Sequence, residues 1–267
     1  ASPLRRLALT PSTRTFSQEG FGISTTTGTV RDFAGNIGTS NILTINLDKT
    51  PPVTTRAART QPNAFGWYRN DVIVDFTCAD ALSGLVAPCA TQITVSAEGS
   101  SNPGETVTDL AGNTAFTGGL TISLDKTAPT ISAAATTAPN AAGWYRTDVA
   151  VAFSCIETLS GLIGACPAVQ SLTQEGDTSS STAQTVSDRA GNTATSNVVT
   201  VKIDKTAPTL TATMPPATVL LNATHDFQLN STDALSGIAA QSCSGFSTAS
   251  VGTRTAVCVA TDRAGNQ

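Results

Sequence analysis

Little in this sequence is equipped for catalysis. Among 267 residues there is one His, one Met, two Trp and two Tyr, and only 13% are charged. The single histidine, His225, excludes a repeated imidazole site, and it reads as a surface or strand residue within "HDFQL". No Gly-rich phosphate loop, nucleophile elbow or metal-ligating His pair occurs. Carboxylates are sparse and most recur in register, whereas a glycosidase needs one unique pair facing a cleft. The expectation is a protein that is not an enzyme. Net charge is −4 and the sequence pI about 4.9, with no basic stripe, so nucleic-acid binding has no electrostatic basis. No apolar run approaches the ~18 residues that cross a membrane as a helix. The opening "ASPLRRLALTPS" has no signal-peptide apolar stretch and no initiating Met, so the chain reads as a mature product or a piece of something longer.

What is present is repetition. "VRDFAGN" (30–36), "VTDLAGN" (107–113), "VSDRAGN" (186–192) and "ATDRAGN" (260–266) recur at nearly even intervals. "LDKTPP" (47–52), "LDKTAP" (124–129) and "IDKTAP" (203–208) keep the same beat, as do "GWYR" at 66–69 and 143–146 and "LSG" at 82–84, 159–161 and 235–237. The dipeptide Glu-Gly returns at Glu19, Glu98 and Glu175. A chain with a period of about 77 residues is a tandem array. The expected units are 1–50 (later strands only), 51–127, 128–206 and 207–267, the last without its final strand.

Six cysteines are present. Cys78 and Cys89 are 11 apart, and so are Cys155 and Cys166, at matching positions of two repeats. That spacing predicts one short disulfide loop per repeat, worth about 3 kcal/mol each in the loop-entropy account. Two Cys per unit without a nearby His make a poor zinc set. Disulfides imply an oxidising compartment, so an extracellular or cell-surface location is expected.

Thr, Ser, Val and Gly abound, with 13 Pro. In "DVIVDFTC" (71–78) Val72, Val74, Phe76 and Cys78 alternate with the residues between them, and "DVAVAFSC" (148–155) repeats the pattern. Period-2 alternation predicts half-buried strands. "TQITVSA" (91–97), "GETVTD" (104–109), "LTISLD" (120–125) and "NILTINLD" (41–48) read likewise. Six or seven short strands per unit predict an all-β chain of small sandwiches arranged end to end. Asp-x-Ala-Gly-Asn then reads as a hairpin turn joining the last two strands of each unit. Gly supplies positive φ, and Asp accepts backbone N–H groups.

Together, "GWYRNDVIVDFTCADALSG", "VTDLAGNTA" and "ISLDKTAPT" resemble the tandem immunoglobulin-like repeats of large bacterial surface and secreted proteins. The last unit lacks the Gly-Trp-Tyr word, and Ser231 stands where the first cysteine would be. Its "SCSGFSTASVGTRTAVCVATDRAGN" (242–266) resembles the hyalin-repeat (HYR) variant of the same fold, which implies Cys243 and Cys258 as its pair. Such repeats serve as stalks, adhesin arms and spacers beside enzyme domains. The expected function is an extracellular structural rod or stalk, part of a larger surface protein or a filament subunit. The alternatives are a glycan- or surface-binding adhesin module and an accessory region of a secreted enzyme. The expected partners are neighbouring repeats, copies of the same chain or a cell-surface glycan.

Three sets of residues are candidates for more than architecture. Trp67-Tyr68 and Trp144-Tyr145, each followed by an Arg, offer a carbohydrate-stacking platform or a contact between units. Asp32, Asp109 and Asp188 in the turns, with Asp48, Asp125 and Asp204 at the junctions, are calcium candidates, since calcium takes six to eight oxygens. The junction lysines Lys49, Lys126 and Lys205 are rival partners for those acids. Asn222-Ala-Thr and Asn230-Ser-Thr are sequons. The phase of both ends predicts open sheet edges, to be completed by a longer array or by a strand such as 5–16 from a neighbouring copy.

Overall fold

The structure is a computed structural model that describes residues 14–213 and 218–267. Residues 5–13, most of the candidate donated strand, lie outside the described residues. The chain divides into two compact units, Ala1–Lys126 and Thr127–Gln267. Every regular element among the described residues is a strand.

In the first unit these are β1 (Gly20–Ser24), β2 (Thr29–Arg31), β3 (Ile37–Thr39), β4 (Thr44–Leu47), β5 (Val53–Ala58), β6 (Val72–Ala79), β7 (Gln92–Val95), β8 (Gly99–Ser101), β9 (Thr106–Thr108), β10 (Thr114–Phe116) and β11 (Ile122–Leu124). The second holds β12 (Thr130–Ala135), β13 (Trp144–Tyr145), β14 (Val149–Ile156), β15 (Gln170–Leu172), β16 (Gly176–Ser180), β17 (Thr185–Ser187), β18 (Thr193–Thr195), β19 (Thr200–Ile203), β20 (Thr209–Thr213), β21 (Gln228–Thr232), β22 (Ile238–Ser244) and β23 (Val257–Asp262).

The alternation in 71–78 becomes β6, the centre of the antiparallel sheet β5–β6–β7. Val72, Val74 and Phe76 face inward and are buried, while Ile73, Asp75 and Thr77 face out. Their partners across the core are Ile122 and Leu124 of β11, which pairs with β8. Tyr68 and Val95 close the cluster. Fully burying such side chains is worth about 1.5–3 kcal/mol each, enough to organise a small core. On the outer face Arg59 forks onto Asp75 at 2.8–3.1 Å and reaches Gln92. The guanidinium, through its hydrogen bonds first and its charge second, holds the Asp75 carboxyl below the usual carboxylate range.

The second unit repeats the plan. β12–β14–β15 packs Val149, Val151 and Leu172 against Val201 and Ile203 of β13–β19–β16. Trp144 and Tyr145 run parallel to β19, opposite Lys202 and Ile203. In the first unit Tyr68 makes the matching parallel bridge to Leu124.

Cys78–Cys89 and Cys155–Cys166 are bonded, with Cα separations of 6.1 and 5.7 Å, each tying a sheet to the loop after it. Cys243–Cys258 differs, because it joins directly opposed residues of β22 and β23.

Two sequence expectations are corrected. Asp-x-Ala-Gly-Asn joins β9 to β10 and β17 to β18, and a further strand, β11 or β19, follows before the junction word. The turn therefore does not join the last two strands. His225 is not in a strand, since β21 begins at Gln228. The His225 ring meets Phe246 edge-on, as does Phe227 at 5.4 Å.

Candidate metal centre

The site is assembled from three short loops, each closed by its own aspartate. In the turn after β9, Asp109 Oδ1 accepts from the N–H groups of Ala111 and Asn113, at 2.9 and 2.8 Å. Its Oδ2 accepts from Asn113 Nδ2 at 2.8 Å, and Gly112 takes φ 92°. A left-handed residue between a carboxylate and an amide is what lets so short a loop reverse the chain. Asp32, Asp188 and Asp262 close their turns with the same asparagine contact at 2.8 Å.

The second loop is Leu-Ser-Gly. Asp80 Oδ1 accepts from Leu82 N, Ser83 Oγ and Gly84 N, and Asp233 does the same for Leu235, Ser236 and Gly237. The third is the junction. Asp48 accepts from Thr50 N and, from the following repeat, Ser83 N, both at 3.0 Å. Asp204 does so with Thr206 N at 3.1 Å and Ser236 N at 3.0 Å. The turn asparagine completes the joint: Asn266 Nδ2 also donates to Asp204 O at 2.9 Å, and Asn113 Nδ2 to Asp48 O at 3.4 Å.

The outcome is a carboxylate trio at each of these two joints. Asp48, Asp80 and Asp109 bring one oxygen each within 4.8 Å of the others, and Asp204, Asp233 and Asp262 do likewise. Asp109, Asp204 and Asp262 are buried, and Asp80 and Asp233 are half-buried. Hydrogen bonds from Ser83 and Thr50 hold the Asp48 carboxyl below its ordinary range, against the effect of burial. Such a set of hard oxygens suits calcium better than a softer metal.

The sequence candidates divide accordingly. Asp48, Asp109 and Asp204 are members of these trios. Asp32 belongs to no such cluster among the described residues; it closes its own exposed turn, and Asn36 lowers its pKa, side chain first. Asp125 follows β11, is fully buried, and donates its N–H to Tyr68 O at 2.9 Å. Asp188 sits fully buried in the turn after β17. Three members are not among the sequence candidates: Asp80 and Asp233, which cap the Leu-Ser-Gly turns, and Asp262. Their signal is in the repeat itself, because the Asp before Leu-Ser-Gly keeps the same period as the other two words.

The junction lysines do not answer the trios. Lys205 Nζ pairs with Asp148 at 2.9 Å and Thr173 O, Lys126 Nζ with Asp71 at 3.0 Å and Ser96 O, and Lys49 Nζ with Ser17 O. Their backbones are held by the recurring Glu-Gly word. Glu19 accepts from Lys49 N and Thr50 Oγ1, Glu98 from Lys126 N, and Glu175 from Lys205 N and Thr206 Oγ1.

The aromatic word is largely interior. Tyr68, Trp144 and Tyr145 are buried and Trp67 half-buried. Lys202 Nζ lies 5.7 Å from the Trp144 ring centroid. Tyr68 and Tyr145 hydroxyls donate to Thr60 O and Thr137 O. Asn140, which opens the turn before Trp144, donates to Arg263 O and Ala264 O of the last repeat's Ala-Gly-Asn turn.

No protein-family model matches the chain, and no curated protein matches it. Among solved structures, that of a 1.5-MDa bacterial ice-binding adhesin is similar over 66% of this chain and 72% of its own, with 17% identity and a TM-score of 0.23.

Proposed function

We propose that the chain is a structural spacer of immunoglobulin-like sandwiches, set end to end, in an extracellular or cell-surface protein. The observation that carries this reading is the joint. The Asp48–Ser83–Asn113 and Asp204–Ser236–Asn266 contacts bind one repeat to the next in the same way, two periods of the array apart. Bonds of this kind resist swivelling at the short Pro-containing linker. Three disulfides fit an oxidising exterior. Small-angle scattering tests the reading. A compact chain of this length has a radius of gyration of about 18 Å. Modules roughly 35–40 Å long in a row require well over this, a radius of about 35–40 Å. A value at the compact figure rejects the spacer.

A second reading adds calcium at the joints. It is favoured by the diverted lysines, which leave Asp48, Asp80 and Asp109, and likewise Asp204, Asp233 and Asp262, without a contacting cationic side chain among the described residues. Calcium should then raise the melting temperature over that in chelator, and Asp80→Asn with Asp233→Asn should abolish the rise. Equal melting in calcium and chelator removes the metal and leaves the hydrogen-bonded joint. The glycan-platform reading is weakened by the burial of Trp144 and both tyrosines.

A further inference from the structure

In a tandem array under tension, load enters each repeat through its first strand and leaves through its last. In residues 128–206 these strands are β12 and β19. The way in is bound directly to the way out. Trp144 and Tyr145, which follow β12, run parallel to β19 opposite Lys202 and Ile203. Tyr145 O accepts from Asp204 N at 2.9 Å. Just beyond, Lys205 Nζ reaches Asp148 at 2.9 Å, and Glu175 takes the Lys205 N–H. β12 itself is held by Asn197, whose side chain accepts from Ala133 N at 2.8 Å and donates to Ala133 O at 2.9 Å. The direction of pairing decides how these contacts respond to a pull. Drawing β13 by its N-terminal end and β19 by its C-terminal end slides two parallel strands past each other, so their bonds are loaded together. Antiparallel strands pulled by the same two ends would open from one side, bond by bond.

We propose that the parallel contact of the Gly-Trp-Tyr word with the last strand is a shear clamp, and that the chain carries tension. The spacer reading supplies the setting for this function, but the load path follows from chain order and from each repeat's own pairing. The bonds at Ala133, Tyr145 and Asp148 join the entry of the repeat to its exit, so its interior, with Cys155–Cys166, is extended only after they break. The two complete repeats are graded. In residues 51–127 the parallel contact is the single bridge Tyr68–Leu124, with Tyr68 N donating to Ser123 O and Tyr68 O accepting from Asp125 N, both at 2.9 Å. Lys126 pairs with Asp71 at 3.0 Å, as Lys205 does with Asp148. Gly118, however, stands at the place of Asn197, and Arg56 at that of Ala133, so the first strand has no such side-chain clasp. Residues 128–206 form the stronger clamp. Residues 51–127 form the weaker one, which opens first and lengthens the chain while the other holds.

The test is to pull the full chain between handles at its two ends by atomic-force microscopy. Paired Cys155→Ser and Cys166→Ser substitution identifies the step of residues 128–206, because opening a disulfide loop of 11 residues adds about 35 Å of extended chain. That step is expected at a higher force than the step of residues 51–127, and Asn197→Gly should lower it toward the latter. Forced unfolding reads the opening barrier and not equilibrium stability, so the direction of pulling separates a clamp from a contact that merely stabilises. Ala142 and Val198 are exposed and precede the two parallel strands at their N-terminal ends. Pulled between Ala142→Cys and Val198→Cys, the same repeat should yield at about half the force or less, since the bonds then break in turn. Equal force in the two directions, or a step of residues 128–206 at or below the force of residues 51–127, overturns the proposal. A compact scattering radius together with a direction-dependent force would reject the end-to-end spacer and uphold the clamp.

Discussion

Residues 29–47 and 106–124 carry nearly the same words and reach different ends. Val30 is 38% exposed and Val107 4%. Asp32 and Asp109 accept the same three hydrogen bonds, yet Asp32 is exposed and Asp109 buried. At the next turn position Phe33 is 88% exposed and Leu110 69%, so that site is outward in both. The turn is thus a local product of its own few residues. Burial is a product of what lies opposite: β6 and β7 cover β11, and no described strand covers β4.

The comparison is broken most severely in the covered copy. Leu124→Ala should cost about 3–5 kcal/mol in denaturant unfolding of the first unit, the usual range for a fully buried leucine. Leu47→Ala should cost well under half of that; equal losses would mean that β4 is covered in solution. Removing Cys78–Cys89 by paired Ser substitution should cost about 2–4 kcal/mol, read as a lower denaturant midpoint. The N-terminal hairpin has no such staple and should melt at the same temperature with or without reductant. Asp109→Ala deprives two N–H groups and an amide of their acceptor and should cost about 1–3 kcal/mol, with a smaller effect for Asp32→Ala. The smallest effect is electrostatic. Asn36 depresses the Asp32 pKa, and Arg59 that of Asp75. A carboxyl depressed on folding adds stability above its unfolded pKa, near 3.9, and loses it as pH falls through the folded value. Asp32→Asn and Asp75→Asn should each slightly flatten the loss of stability below about pH 4, and a steeper loss would contradict the assigned partners.

These contrasts show what the sequence could convey. β6 and β14 were legible because alternation of Val, Val and Phe is a local pattern with one structural meaning. The Asp-x-Ala-Gly-Asn turn was legible for the same reason, although its place was not: an extra strand follows it. The trio was half legible. Two of its words stood out by repetition, while Asp80 and Asp233 were hidden behind a sufficient local role in capping Leu-Ser-Gly. The partner of Glu-Gly was not legible, since Glu98 and Lys126 are 28 residues apart and meet only through the β8–β11 register. Nor was the direction of the junction lysines, which depends on where Asp71 and Asp148 emerge at the start of β6 and β14.

Asn113 fastens its own turn through Asp109 and the preceding junction through Asp48, and Asn266 does the same with Asp262 and Asp204. Two anchor points, 65 residues apart in one joint and 62 in the other, are thereby measured against one side chain. Losing or gaining a few residues between them would unseat the joint, whereas copying a whole period carries both anchors along and leaves every joint intact. An array built this way can lengthen or shorten by duplication and deletion of entire modules, with no new surface to invent.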